Sequence, residues 1–134
     1  MRALKSLIFF TSLDEVLLDK ETLIAEIDSP TESTSELLGG LARKLAFPGY
    51  FGHNWDALDE CMNDFHWIDG KRIAIVHHRL PRTDSPRELR IYLEILIDSV
   101  KHWKKSGEHE LVAAFPATAR DQISQILSGS MSRT

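Results

Sequence analysis

The chain has one cysteine, Cys61, among its 134 residues. A single cysteine cannot form a disulfide within the chain, so the fold needs no oxidising compartment and we expect a cytoplasmic protein. No segment reaches the length of about 20 apolar residues that a membrane-spanning helix needs. The apolar run at 7–10 is also too short for the hydrophobic part of a signal peptide. We therefore predict no membrane association.

An excess of positive charge is also missing. The chain has 16 Lys and Arg against 20 Asp and Glu, for a formal net charge of −4. Surfaces that bind nucleic acid are ordinarily basic, so we do not expect direct nucleic-acid binding. Within residues 48–70 there is no Lys or Arg at all, and this segment holds five carboxylates: Asp56, Asp59, Glu60, Asp64 and Asp69.

Motifs for metals, cofactors and catalysis are scarce. The six histidines form no His-x-x-x-His pattern, and no Cys-x-x-Cys occurs, so we predict neither a metal nor a cofactor. His77 and His78 are adjacent on a predicted strand and should point to opposite faces. His53 and Asp56 have no accompanying nucleophile or phosphate loop, so we predict no enzyme. A small hydrolase using His53, Asp56 and Glu60 around a divalent metal remains an alternative.

The order of apolar segments indicates an α/β fold in one domain, residues 1–134. Short apolar strands are predicted at Leu23–Ile27, 71–77 and 110–115, with helices between them. Such alternation favours a small parallel sheet with right-handed crossovers. Segment 6–10 is a possible additional edge strand.

Local signals place the helix ends. Segment 31–35 offers several N-cap candidates for a helix start, among them Ser33 with Glu36 at capping-box spacing, and Pro48 predicts that this helix stops before it. A strongly periodic helix is predicted at 87–105, with Gly107 ending it, and a short helix at 118–127.

The acidic segment predicts a turn followed by a helix that starts at Trp55. On a helical wheel one half is apolar: Trp55, Ala57, Leu58, Cys61, Met62 and Phe65. The other half holds acids and one amide: Asp56, Asp59, Glu60, Asn63 and Asp64. A face with no interleaved cation repels itself, so it is either a solvated surface or a site for a positively charged partner. In the turn before it, we expect Tyr50 rather than Phe51 to be exposed.

These residues carry a resemblance to a known family. The pattern Phe47-Pro48-x-Tyr50-Phe51-Gly52-x-Asn54-Trp55-Asp56-Ala57-Leu58-x-Glu60-Cys61 resembles the signature of the barstar family, intracellular inhibitors of microbial ribonucleases of the barnase type. The similarity covers about residues 22–115, which leaves 1–21 and 116–134 as N- and C-terminal extensions. It implies a three-stranded parallel sheet packed with helices.

The resemblance further implies that the acidic helix and its turn block the active site of a basic extracellular or toxin-type ribonuclease in a 1:1 complex. Asp56 and Glu60 match the two carboxylates that enter the catalytic centre in place of RNA phosphates. The free inhibitor is then expected to be a monomer. The implied partner-binding residues are Tyr50, Gly52, Asn54, Trp55, Asp56, Asp59, Glu60, Asp64 and Phe65.

Three departures from the family pattern concern the target. Glu60 stands where the family's namesake has an aspartate, Asp59 replaces a tryptophan, and His102 aligns with a family acid. They favour a target other than barnase itself. The alternative partner class is a basic protein that is not a nuclease.

Overall fold

Four parallel strands form one sheet in the order β1-β4-β3-β2. The computed structural model describes residues 2–16, 21–28 and 31–129. The strands are β1 (Ile8–Phe10), β2 (Leu23–Ile27), β3 (Arg72–His77) and β4 (Glu110–Pro116). The helices are α1 (Thr34–Lys44), α2 (Trp55–Met62), α3 (Pro86–Ser106) and α4 (Arg120–Leu127). Three short 3-10 helices lie at Arg2–Ser6, Leu13–Glu15 and Ala117–Ala119.

The predicted α/β class and parallel sheet are confirmed, but the sheet has four strands rather than three. The additional strand is β1, which pairs in parallel with β4, Ile8 opposite Ala114. This confirms the predicted edge strand near residues 6–10. Part of the expected N-terminal extension therefore belongs to the sheet, and Leu4 and Leu7 beside it are buried in the core.

The two faces of the sheet are covered differently. Alternate residues of β3 point to opposite faces, with Ile73 and Ile75 toward the helices and Ala74 and Val76 toward the other side. The helix-covered face contains the large core residues. Phe10 and Val16 from the N-terminal segment pack on the second face, where the strand residues are small.

The helix starts and stops follow their capping residues. The Ser33 hydroxyl accepts a hydrogen bond from the Glu36 N–H at 3.1 Å, which is one half of a capping box, whereas the Glu36 carboxylate accepts from the Glu32 N–H at 2.9 Å. Helix α1 ends at Lys44, before Pro48. Helix α3 starts with Pro86 after its cap Ser85 and ends at Gly107, whose φ of 79° is left-handed.

Among the described residues, no helix is long and apolar enough to cross a membrane. The expected C-terminal extension contributes the 3-10 helix Ala117–Ala119 and α4. Residues 130–134 of that extension, and residues 1 and 17–20 of the N-terminal one, lie outside the described part of the chain.

Candidate functional site

A tight turn positions the start of α2. Asn54 is the N-cap residue, and its Oδ1 accepts a hydrogen bond from the Ala57 N–H at 2.8 Å. The Asn54 Nδ2 donates to the Gly52 carbonyl at 3.4 Å. A Cβ on residue 52 would lie 3.3 Å from that same Nδ2, so glycine lets the Asn54 amide approach the turn. Gly52 and Asn54 therefore act together to set where α2 begins.

The outward face of α2 carries Asp56, Asp59 and Glu60, which we call the acidic face. All three are exposed, while Leu58, Cys61 and Met62 are buried. Asp56 and Glu60 lie one helical turn apart. Within the described residues no ion pair involves any carboxylate of α2. The amphipathic division that the helical wheel predicts for residues 55–62 is thus confirmed.

The helix is shorter than predicted, and Asp64 lies beyond its end. Helix α2 stops at Met62, where the Asn63 N–H bonds the Asp59 carbonyl at 3.2 Å. The Asp64 carboxylate is exposed but lies 3.0 Å from His66 Nδ1, and its Oδ1 accepts from the His66 N–H at 3.2 Å. Asp64 therefore differs from Asp56 and Glu60, whereas Asp59 of the acidic face accepts a hydrogen bond from Asn63 Nδ2 at 3.4 Å.

Tyr50 is the exposed aromatic residue of the turn, as predicted. Its exposed fraction is 69%, whereas Phe51 is buried with 7% exposed. Partial desolvation, together with the negative charges of Asp64 and Glu60, raises the pKa of the Tyr50 hydroxyl. At neutral pH the hydroxyl therefore remains protonated and can donate a hydrogen bond.

Trp55 joins the start of α2 to α3. Its indole Nε1 donates to the Glu88 carboxylate at 2.7 Å, and its ring centroid lies 6.1 Å from that of Tyr92. The Thr34 hydroxyl at the start of α1 lies 3.5 Å from the same carboxylate oxygen. Glu88 was missed by sequence reasoning, because no local pattern links it to a residue 33 positions earlier.

Phe65 is a core residue and not part of the surface. Its φ of 48° turns the chain inward, and its side chain has 0% exposure. The ring stacks on Trp103 with centroids 5.7 Å apart. The implied contact role of Phe65 therefore needs correction: its side chain supports α2 from below and is not available to a partner.

The remaining predicted residues lie on α2 and the turn before it, except Asp64, which follows the end of α2. This segment lies inside a family match. A family model described as barstar (barnase inhibitor) matches residues 22–114. The chain belongs to the barstar family. A search of the curated proteins found no significant match. Family membership makes a ribonuclease of the barnase type the general class of partner.

Next to Trp55, this barstar-family protein has a buried polar pair formed by His77 and Tyr92. His77 Nε2 lies 2.6 Å from the Tyr92 hydroxyl, and His77 Nδ1 lies 2.8 Å from the Ala114 carbonyl. Because the carbonyl only accepts, Nδ1 carries the proton and Nε2 accepts from Tyr92. Burial lowers the pKa of His77 to about 4 and raises the pKa of Tyr92. His78 is exposed and bonds Glu26, which confirms that the two histidines point to opposite faces.

The alternative of a metal-dependent hydrolase requires a metal site, and the described residues of this barstar-family protein contain none. In residues 2–16, 21–28 and 31–129, no three His, Cys, Asp or Glu side chains are grouped so that they could hold a metal ion. His53 Nδ1 lies 3.2 Å from the Phe51 carbonyl, and its ring packs on Phe51 at 4.7 Å.

Proposed function

We propose that this barstar-family protein inhibits a basic ribonuclease by covering its active site with the acidic face and the adjoining turn. One observation carries the proposal. Asp56 and Glu60 stand one turn apart on the exposed side of α2, and no cation of the described residues neutralises them. Like charges at this spacing destabilise a helix, so their presence needs a reason outside the free molecule.

A ribonuclease cleft supplies that reason. A cleft that binds a polyanion is lined with cations, and carboxylates spaced along a helix can take the place of RNA phosphates there. Charge-assisted hydrogen bonds between carboxylates and Arg or Lys are among the strongest polar contacts in proteins. Complementary charge also accelerates the encounter of the two proteins. The acidic face thus serves both recognition and rapid binding.

The turn adds apolar contact beside the charge. Tyr50 is largely exposed to solvent in the turn that precedes α2. Exposed tyrosines at the centre of a contact frequently contribute much of the binding energy. Trp55 lies half-buried at the start of α2 and is held by Glu88. We therefore place Tyr50, Gly52, Asn54, Trp55, Asp56, Asp59, Glu60 and, at the border, Asp64 on the contact surface.

The test is a titration of ribonuclease activity with the purified chain. The first candidate target is the product of the reading frame next to this gene, followed by a panel of basic ribonucleases. RNA cleavage should fall to zero at one inhibitor per enzyme. Asp56→Asn and Glu60→Gln should each weaken inhibition by about 30-fold or more, because each leaves a buried cation of the enzyme unpaired. Asp121→Asn, the same change at an exposed site on α4, should have no effect.

Three results would count against the proposal. Full inhibition by the double variant Asp56→Asn, Glu60→Gln would show that the carboxylates are not the contact. Salt-sensitive binding to a basic protein, with no effect on any ribonuclease tested, would favour the non-nuclease partner. Metal-dependent hydrolysis by the chain itself would favour the enzyme alternative.

A further inference from the structure

Ser99 is a polar residue of α3 whose side chain is fully buried, with 0% exposure. Alanine is a better helix former than serine and would bring no polar group into the interior. A serine at such a position is favourable only when its hydroxyl has a partner, because an unsatisfied buried hydroxyl is costly. The partner lies at the end of the neighbouring helix: the Ser99 hydroxyl donates to Asn63 Oδ1 at 2.9 Å.

Asn63 connects this buried hydroxyl with the acidic face. It is the C-cap residue of α2 and is half-buried. Its Nδ2 donates to Asp59 Oδ1 at 3.4 Å, one helical turn earlier. An ionised carboxylate only accepts hydrogen bonds, so the amide nitrogen of Asn63 must face Asp59 and the amide oxygen is left to accept from Ser99. The two hydrogen bonds therefore determine each other's direction.

The support under Asn63 is well packed. Trp103 lies one turn after Ser99, and its indole Nε1 donates to the Met62 carbonyl at 2.8 Å. The Trp103 ring is buried and stacks on Phe65, with centroids 5.7 Å apart. Because Met62 directly precedes Asn63, the backbone of the cap is held from one side and its amide from the other.

Asp59 differs in this respect from its two neighbours on the acidic face. Of the three carboxylates, Asp59 alone accepts a hydrogen bond from another side chain in the described part of the chain. Asp56 and Glu60 can reorient freely in solvent. The Asp59 carboxylate has a preferred direction before any partner arrives.

We propose that Ser99 is a positioning residue for ribonuclease binding: through Asn63 it holds the Asp59 carboxylate in the direction from which a donor of the enzyme meets it. This inference rests on the proposed function. Ordering a side chain at an interface costs free energy, and a side chain that is already ordered in the free protein avoids part of that cost. Asp59 then provides a fixed point of the contact, while Asp56 and Glu60 adjust to the cations of the enzyme.

The competing explanation is a purely structural role for Ser99. Its hydrogen bond also joins α2 to α3, so its loss would lower stability in either case. However, a fully buried side chain cannot touch a partner, and any effect of Ser99 on binding must be transmitted. A double-mutant cycle with Asp59 measures whether that effect passes through the carboxylate.

The experiment measures the inhibition constant of four full-length proteins against the target ribonuclease. Ser99→Ala should weaken binding by about 3-fold to 10-fold, the scale of one neutral hydrogen bond. Asp59→Ala should weaken binding by about 10-fold or more, because it removes a contacting charge. Added to Asp59→Ala, the Ser99→Ala substitution should have no further effect, since no carboxylate remains to be positioned.

Trp103→Phe is the matched control. It removes the neighbouring hydrogen bond between the same two helix ends and keeps a ring against Phe65. Any effect that it has on binding should be the same with and without the Asp59 carboxylate. Thermal unfolding of every variant establishes that the compared proteins are folded.

The free protein gives a second measurement that needs no partner. The side-chain amide protons of Asn63, observed by NMR, should shift in Ser99→Ala and also in Asp59→Ala. Each substitution removes one of the two hydrogen bonds of that amide.

Four outcomes would overturn the inference. Equal effects of Ser99→Ala with and without Asp59 would show a general loss of stability and would leave the proposed function standing. Unchanged binding of Asp59→Ala would remove Asp59 from the contact surface. Unmoved Asn63 amide protons in Asp59→Ala would contradict the hydrogen bond on which the positioning depends. Failure of the wild-type chain to inhibit any ribonuclease would contradict the proposed function and this inference with it.

Discussion

The two sides of α2 differ in how their polar groups are satisfied. Toward α3, the Trp55 indole, the Met62 carbonyl and the Asn63 amide each have a hydrogen-bond partner within 2.9 Å. Toward solvent, Asp56 and Glu60 stand side by side without an ion pair in the described part of the chain. The same short helix is therefore held by hydrogen bonds where it builds the fold and carries hydrated carboxylates without an ion pair where it faces outward. We take this contrast as the mark of a surface that is completed by another molecule.

Truncation of Phe65, a fully buried residue, should have the largest effect on stability. Phe65→Ala removes a fully buried ring that stacks on Trp103, and we expect it to lower the free energy of unfolding by about 3–5 kcal/mol. Urea denaturation measures the loss. Phe65→Leu should lose less and should still inhibit while folded. Unchanged stability of Phe65→Ala with lost binding would return Phe65 to the contact surface.

The role of buried His77 can be tested through the pH dependence of stability. The folded pKa of His77 is about 4, below its ordinary 6.5, so the unfolded chain binds the proton more readily. The contribution of His77 is present above pH 6.5 and is lost as the pH falls through 4, amounting to about 3 kcal/mol. Urea denaturation across this range should give a shallower pH dependence for His77→Gln than for the wild type. Parallel curves would contradict the assignment.

The tie between α2 and α3 should have an intermediate effect. Glu88→Ala removes the acceptor of the Trp55 indole, and we expect a loss of about 1–3 kcal/mol in the free energy of unfolding. Glu88→Gln keeps an acceptor and removes the same charge, so it is the matched control and should lose less. Inhibition should be weaker for Glu88→Gln than for the wild type and weakest for Glu88→Ala. Equal losses for both variants would mean that the charge, and not the hydrogen bond, holds Trp55.

Substitutions on the solvent-facing side of α2 should raise the free energy of unfolding instead of lowering it, and this effect should be the smallest. Glu60→Gln relieves the repulsion from Asp56 one turn earlier, so the free energy of unfolding should rise by about 0.2–0.5 kcal/mol while inhibition weakens. Asp56→Asn should gain less, because the dipole favours an acid in the first turn. A clear loss of stability in Glu60→Gln would contradict the proposed difference between the α3-facing and solvent-facing sides of α2.

The parts of the fold that depend on local patterns were predictable. The bounds of β2 agree with the prediction at both ends, and the starts of α1 and α2 lie at their capping residues Ser33 and Asn54. The exposure of Tyr50 beside buried Phe51 was also foreseen. Periodicity and caps act over a few residues, and this is the range in which the sequence is informative.

What depends on distant contacts was not predictable. Helix α2 ends early because Phe65 turns inward to reach Trp103, and a helical wheel has no means of showing such a turn. Strand β1 has three residues and is defined by its pairing with β4 near the other end of the chain. Glu88 belongs to the site because its carboxylate accepts a hydrogen bond from Trp55, which lies 33 positions earlier in the chain. Each of these is a tertiary effect that overrides the local pattern.

Trp55 has a practical consequence for studying the complex. Of the three tryptophans, Trp67 and Trp103 donate to backbone carbonyls of the chain itself, at 2.9 and 2.8 Å. Trp55 alone lies at the start of α2, half-buried beside Asp56. A partner that covers α2 will exclude water from its indole and shift its fluorescence emission to shorter wavelength. Replacing Trp67 and Trp103 by Phe would leave a single tryptophan, whose emission reports docking in real time and without a label.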